Sequence, residues 1–500
     1  MKARKLGRAV VTGTAVAGAA GLVALAATGA SAASAASSSP ISTARPALKL
    51  VAGSTDLTLE NVEDYGVDLD LGTHVVAGNA PIEVRATRAS YSSPVVATQY
   101  VNGKATRQLP KGLVTDFSGL GKFLHITLTD ASGKKVLDKD QALCLNGEGS
   151  RTRPDAPATS PYPDGCTANP FTQGAVWGVQ TGWSSRTYDG GDPVQLANGK
   201  YKATVTVNKG YRDFFKIPAA DASVKLNVTI QKGDTCLRGC FGGKKAAASS
   251  VALKPHTARP TGKASVPKGP KPDLRPVPAW GIVAAPGDEG TPDTAKDFLQ
   301  FSATVWNAGL SPLVLDGFRQ QGKDLMDAYQ YFYDTHGKEV GYHNTGTLEW
   351  DGRPGHNHWH FTDFARYSLL NSKQTEVVRS QKEAFCLAAT DAIDYTVKNA
   401  NWHPYNTDLH TACGDHSSLS VREVLDVGNG DTYEQSLPGQ SFDITNLPNG
   451  TYYVQVSANP ENRLYESNTK NNVALRKVIL GGTKHHRTVQ VPPVGVITTT

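Results

Sequence analysis

The sequence predicts a mainly β protein with two β-rich domains, and three observations carry that expectation. Segments such as Lys122–Thr129 and Lys200–Asn208 lack proline and are rich in Thr, Val and aromatic residues. The second alternates apolar and polar positions, the pattern of a half-buried strand. Clusters of Gly, Asp and Pro punctuate the chain between such segments, as turns do. A Lys- and Pro-rich stretch without acids then divides one strand-rich region from the next. One helical stretch is expected near residues 375–385, and no repeat of fixed period is visible.

Residues 1–32 read as a secretory signal peptide. Lys2, Arg4, Lys5 and Arg8 precede an Ala/Gly/Val/Leu run, and Ala30-Ser31-Ala32 supplies the small residues of a cleavage site. The rival is an uncleaved anchor, because the run is nearly long enough to span a bilayer. No twin-Arg pair precedes it and no Cys stands at its exit. The mature chain is therefore expected to be secreted and extracellular, with no membrane span. Residues 33–49 are Ala/Ser/Pro-rich and expected to be disordered.

Residues 50–240 form the first β-rich domain, for which an immunoglobulin-like β-sandwich is the expected architecture. It holds no catalytic constellation and reads as a binding or spacer module. Residues 241–272 form the basic linker, carrying Lys244, Lys245, Lys254, Arg259, Lys263, Lys268 and Lys271. That composition suits an extended tether, with contact to an anionic cell-wall polymer as a second role. Residues 273–482 are the second strand-rich domain, and 483–500 a tail. The formal net charge of +6 is small and partly sits in the signal peptide, so it does not argue for nucleic acid.

Six cysteines in a chain expected to be secreted read as disulfides. Spacing suggests Cys144–Cys166, Cys236–Cys240 and Cys386–Cys413. Cys236 and Cys240 could alternatively be half a metal site, but no second pair or nearby His completes one.

The chemistry concentrates at His356-Asn357-His358-Trp359-His360. On a β-strand, alternate side chains share a face, so the three imidazoles would project together while Asn357 and Trp359 point away. Three imidazoles suit Cu(II) or Zn(II), and the absence of a Cys argues against a thiolate site. A solvated histidine cluster without metal is the competing reading.

The segment 273–480 resembles the catalytic domain of the lysyl oxidases, and the matching pieces come in order. Pro272-Asp273-Leu274 opens the domain, followed by Phe301-Ser-Ala-Thr-Val-Trp-Asn307. Glu349-Trp350 precedes the histidines, and Phe364-x-x-Tyr367-x-Leu369-Leu370 follows them. Lys382-Glu-Ala-Phe385-Cys386-Leu387, Asp431-Thr432-Tyr433, Asp443-Ile444-Thr445 and Asn459-Pro460 come next. Glu466-Ser467-Asn468-Thr-Lys-Asn471-Asn472 closes the series.

The resemblance implies a β-sandwich-cored domain that binds Cu2+ on His356, His358 and His360. It also implies lysine tyrosylquinone, a cofactor made from Lys382 and Tyr433, whose carbonyl condenses with a primary amine. The implied reaction turns the amine, lysine side chains included, into an aldehyde with O2 as oxidant, releasing ammonia and hydrogen peroxide. Asp431 is a candidate general base. Standing alone, Lys382 would read as a surface lysine and Tyr433 as an ordinary strand residue. The resemblance further implies Ca2+ held by Asp273, the Leu274 carbonyl, Glu466, Asn468, Asn471 and Asn472, oxygen donors that suit a hard cation. Asn468 stands where the animal enzymes carry an acid. The stretch between Lys382 and Tyr433 is longer than theirs, which bears on the pocket mouth. Two other function classes compete: a non-catalytic extracellular β-sandwich binding protein, and a copper-binding protein without the quinone.

Overall fold

A computed structural model describes residues 48–188, 190–233, 255–287, 295–334, 336–353, 356–380, 382, 384–404 and 413–495. The signal peptide, Cys236, Cys240, His410 and the first half of the basic linker lie outside the described residues. Among the described residues no helix is long and apolar enough to cross a membrane.

The protein is mainly β. The N-terminal region builds three sheets, two of four strands and one of six. The larger one pairs Gly199–Val207 antiparallel with both Leu120–Asp130 and Ser223–Lys232, so both segments expected as strands are strands. Their inward residues, among them Leu124, Ile126, Leu128, Ala203, Val205 and Val207, enter one continuous apolar core. The short helix Lys209–Phe215 buries Tyr211, Phe214 and Phe215 against it.

The C-terminal region has its own core around Leu299, Phe301, Leu315, Trp359, Phe361, Tyr367 and Phe385. Three sheets enclose it. One runs Ala384–Phe385, His358–Thr362, Glu339–Asp351, Leu325–Tyr333, Leu313–Arg319, Ser420–Leu425. A second carries Asp297–Asn307 paired to Asn429–Tyr433. The third contains Ala365–Leu370 and Gly450–Ala458.

The helix expected near 375–385 is not there. Glu376–Arg379 is instead a strand pairing with Ala365–Leu370, and Ala384–Phe385 pairs with His358–Thr362. Val377 and Val378 are β-branched, and the neighbouring strand offers main-chain partners that an isolated short helix would lack.

The two regions dock along residues 389–402. Gln173 N–H donates to the Ile393 carbonyl at 2.7 Å, and Tyr395 N–H to the Gly174 carbonyl at 3.0 Å. Gly174 allows this close approach, since a Cβ would lie 2.2 Å from Asp394 Oδ1 and force that side chain to move. Phe171 joins Val277, Trp306 and Ile393 in a small apolar cluster across the seam. The described half of the linker also lies against the C-terminal region, where composition alone suggests a free tether. The His256 ring stacks on Tyr331 with centroids 4.0 Å apart, and its nitrogens meet Asp316 Oδ2 at 2.6 Å and Glu339 Oε2 at 2.8 Å. Ser265 pairs with the main chain of Tyr342.

Candidate active site

Strand His358–Thr362 runs antiparallel to Glu339–Asp351, with His358 opposite Asp351 and His360 opposite Glu349. Its orientation is fixed by Trp359, which is fully buried on the other face, meets Trp350 edge-on at 5.7 Å and donates its Nε1–H to the Asp415 carbonyl at 2.9 Å. Burying the indole in the core turns His358 and His360 the opposite way. His356 is not on the strand as expected. It precedes the strand, and Asn357 between them has φ 54°. Asn tolerates that left-handed conformation better than most residues. The turn brings His356 round to the other two, so that one nitrogen from each ring lies within 4.8 Å of the others.

The donor set fits a divalent metal. His360 Nε2 is buried and has no hydrogen-bond partner, an expensive state for a ring nitrogen unless something binds it. Burial holds His356 down to about 4 and His360 down to about 2, so both rings stay neutral and keep a lone pair to give. Asp351, which no motif in the sequence singles out, organises them. Its Oδ2 lies 3.0 Å from His356 Nδ1, close but out of hydrogen-bond alignment, and 3.3 Å from His360 Nδ1. Burial would raise this carboxyl, yet hydrogen bonds from Arg353 hold it below the usual range. A carboxylate behind two imidazoles directs their other nitrogens toward a metal. The signal in the sequence is the acid itself, standing just after Glu349-Trp350.

Lys382 and Tyr433 come together from different elements. Tyr433 ends the strand Asn429–Tyr433, which the register with Asp297–Asn307 places at the domain core. Its hydroxyl donates to the Cys386 carbonyl at 3.0 Å and accepts the Cys386 N–H at 2.9 Å. Lys382 is 5% exposed, and its Nζ lies 4.3 Å from the Tyr433 ring centre and 5.1 Å from that of Phe385. Its main-chain N–H is held by Ser380 Oγ, which in turn donates to the Gly439 carbonyl. Burial pulls the ammonium down to about 8, against the opposing pull of Asp431. Burial also raises Tyr433 well above the ordinary phenol value, and Asp431 adds to it.

Asp431 shares the Tyr433 face of its strand, two residues earlier. It is 3% exposed, and neither carboxyl oxygen has a well-formed hydrogen bond. Burial pushes it well above the carboxylate range, partly offset by Lys382. Glu423, a second acid that the sequence does not mark out, is wholly buried nearby. Its Oε2 accepts the Leu387 N–H at 3.1 Å, and Oε1 has no partner. Only the fold reveals it, since it sits in an otherwise ordinary strand, Ser420–Leu425.

Two disulfides are formed, Cys144–Cys166 and Cys386–Cys413, in the pairing that spacing suggests. The second is fully buried and joins both halves of the site. Cys386 carries the Tyr433 hydroxyl, and the Cys413 carbonyl accepts the Trp359 N–H at 3.0 Å.

The residues expected to hold calcium gather at the start and end of the C-terminal domain. Glu466 accepts hydrogen bonds from Leu274 N–H, Asn459 Nδ2 and Asn472 Nδ2. Asn471 Nδ2 donates to Asp273 Oδ1 at 3.0 Å, while Arg275 pairs with Asp273 Oδ2 at 2.7 Å. The amide oxygens of Asn471 and Asn472 are buried without a donor. Asn468 accepts only the Lys470 N–H among its hydrogen bonds, and none joins it to the others.

Fold and site together define a mainly β protein with a three-histidine metal cradle beside a buried lysine–tyrosine pair. Residues 329–489 match the family model described as Lysyl oxidase. Protein-lysine 6-oxidase of Sus scrofa is 32% identical over 139 residues, which is 27% of this chain and 49% of that protein. Lysyl oxidase homolog 4 of Mus musculus and lysyl oxidase homolog 2 of Gallus gallus are each 30% identical over 129 residues, 26% of this chain and 15% of theirs. The C-terminal part of the chain is therefore a lysyl oxidase family domain. The matched segment spans about half or less of the length of these relatives.

Proposed function

We propose that the protein is a secreted amine oxidase of the lysyl oxidase type, acting on primary amines and in particular on lysine side chains of peptides or proteins. The observation that carries this reading is the buried Lys382 amine 4.3 Å from the Tyr433 ring, in the same core as three converging imidazoles. His356, His358 and His360 would hold Cu2+, and Lys382 and Tyr433 would be the precursors of lysine tyrosylquinone. When present, copper and quinone together would supply O2 reduction and the electrophile for amine oxidation, a chemistry no ordinary side chain offers.

The chain's own residues prepare for it. Burial keeps His356 and His360 neutral, and Asp351 fixes their orientation. The Tyr433 hydroxyl is held at both its donor and acceptor sides by Cys386, so the ring cannot swing away from Lys382. The lowered Lys382 pKa leaves part of its amine neutral and nucleophilic near pH 8. Asp431, raised by burial and without a well-formed hydrogen bond, is the proposed base for the substrate's Cα proton. Two disulfides support an oxidising destination, in keeping with the signal-peptide reading of residues 1–32. A structural Ca2+ on Asp273, Leu274, Glu466, Asn468, Asn471 and Asn472 belongs to the same proposal, supported by the two donor-free amide oxygens. Arg275 would have to release one Asp273 oxygen.

The test is aerobic copper loading followed by peptide mass spectrometry and an amine-dependent peroxide assay. A Lys382–Tyr433 cross-link with peroxide release is expected, both lost in Lys382→Ala and Tyr433→Phe while copper stays bound. Copper binding without the cross-link would favour a copper-binding protein, and no copper binding a non-catalytic module.

A further inference from the structure

A cavity of about 580 Å³ opens on the seam between the two β-rich regions, bordered by Asn429 at the start of the strand that carries Tyr433. Its walls come from both: Asn146, Asp164 and Thr167 from one, Thr390, Asp391, Tyr395, Trp402 and Asn429 from the other. No Lys, Arg or His is among the described residues lining it.

All but one of the side-chain donors of this lining are spent inward, the exception being Trp177 Nε1, which is buried without a partner. Asn146 Nδ2 donates to the Gly165 and Val176 carbonyls, and Asn429 Nδ2 to those of Asn401 and Val427. The Tyr395 hydroxyl donates to Asn429 Oδ1, and Trp402 Nε1 to the Tyr395 carbonyl. Thr390 Oγ1 donates to the Gly430 carbonyl, and the Thr167 hydroxyl is paired with that of Thr172. Trp177 also borders the cavity, but it is a member of the N-terminal apolar core.

What remains for a ligand is two carboxylates, the rings of Tyr395 and Trp402, and the Trp177 N–H. Asp391 Oδ2 takes hydrogen bonds from Asn169 Nδ2 and Thr432 Oγ1, and Asp164 is exposed at the mouth. An anion would meet two like charges and a single indole N–H, that of Trp177. A cation with N–H groups and an alkyl stem satisfies both parts, pairing with carboxylate and resting on an aromatic face. Trp402 already accepts such a neighbour, the Arg85 guanidinium lying 5.4 Å from its ring.

We propose that this inter-domain cavity binds a primary alkylammonium group, the lysine side chain of a peptide or protein being its ligand class. Selectivity for a cation rests on the lining alone, and the choice of lysine rests on the oxidase reading. The site would hold a second lysine of the same polymer while the first is presented to the Tyr433 side, a bivalent arrangement in which the N-terminal region contributes substrate recognition.

The experiment uses the full chain as Lys382→Ala, without copper, labelled with 5-fluorotryptophan; the Trp402 resonance is assigned with Trp402→Phe. Butylammonium chloride is expected to shift that resonance saturably, and 1-butanol, its neutral counterpart, is not. Asp164→Asn with Asp391→Asn should weaken butylammonium binding by about tenfold or more, as loss of a charge partner worth about 1.4 kcal/mol would. If the double variant does not fold, exposed Asp164→Asn alone should still weaken binding. Equal shifts with 1-butanol, no shift with butylammonium, or unchanged affinity in the variants would overturn the proposal. An oxidase that turns over butylamine without binding it here would sink this site and leave the oxidase reading standing. Binding here by a protein that never forms the cross-link would do the reverse.

Discussion

The Lys382 amine lies over the face of the Tyr433 ring, 4.3 Å from its centre, with both side chains at least nine-tenths buried. Burial is what draws the lysine down to about 8 from its ordinary value. In the unfolded chain it titrates near the free value, so between about pH 8 and 10.5 the unfolded state binds more protons than the folded one. Stability therefore rises with pH through that window on account of this residue, and the penalty of a buried charge is felt below it. Urea midpoints of copper-free protein should rise between pH 8 and 9.5 relative to those of Lys382→Met. A constant difference between the two proteins across that range would contradict the assignment.

Asp351 stands behind two of the three imidazoles, 3.0 Å from His356 and 3.3 Å from His360. Asp351→Asn keeps the shape but removes the charge that favours their metal-directed tautomers. Copper affinity is expected to fall by about 10- to 100-fold, the usual effect of losing such a partner. Competition with a chelator of known affinity measures it, and an unchanged dissociation constant would remove Asp351 from the site.

Asp431 has no well-formed hydrogen bond on either oxygen and faces the same side as Tyr433. If it takes the substrate proton, Asp431→Asn should still form the Lys382–Tyr433 cross-link while kcat drops by about 10²- to 10⁴-fold. The deuterium effect with α-deuterated amine should grow, since proton removal becomes the slow step. Full activity in the variant would reassign the base, with Glu423, also wholly buried, next in line.

Much of this site is legible in the sequence. The alternation of His356, His358 and His360 points to one metal, and the ordered motifs point to Lys382 and Tyr433. The details that escape are long-range ones. Asn357 turns left-handed and sets His356 off the strand, and no local pattern distinguishes that from a continuous strand. Val377 and Val378 lie in a short segment whose state is decided by its partner, Ala365–Leu370, rather than by its own propensity. Glu423 is an acid on a strand, and nothing local marks it as wholly buried or as the acceptor of the Leu387 N–H. The linker's composition gives no sign that His256 meets Asp316 and Glu339, more than fifty residues away in each case.

The Cys386–Cys413 disulfide sits where the two halves of the site meet. Cys386 main-chain groups hold the Tyr433 hydroxyl on both sides, and the Cys413 carbonyl holds Trp359 between His358 and His360. Closing a loop of sequence separation 27 stabilises the fold by about 3.5 kcal/mol in the chain-entropy account. Removing it with Cys386→Ala and Cys413→Ala should lower the unfolding free energy by about that amount. The stronger expectation concerns chemistry. His358 and His360 are held by their own strand pairing with Glu339–Asp351, and His356 by the turn at Asn357, so copper should still bind. Tyr433 loses the rigid clamp that keeps its ring under Lys382, so the yield of cross-linked peptide should fall several-fold more than copper occupancy does. Mass spectrometry of the cross-link, read against copper content in the same sample, decides it. Parallel loss of both would mean that the disulfide serves the fold alone, and loss of neither would free Tyr433 from dependence on Cys386.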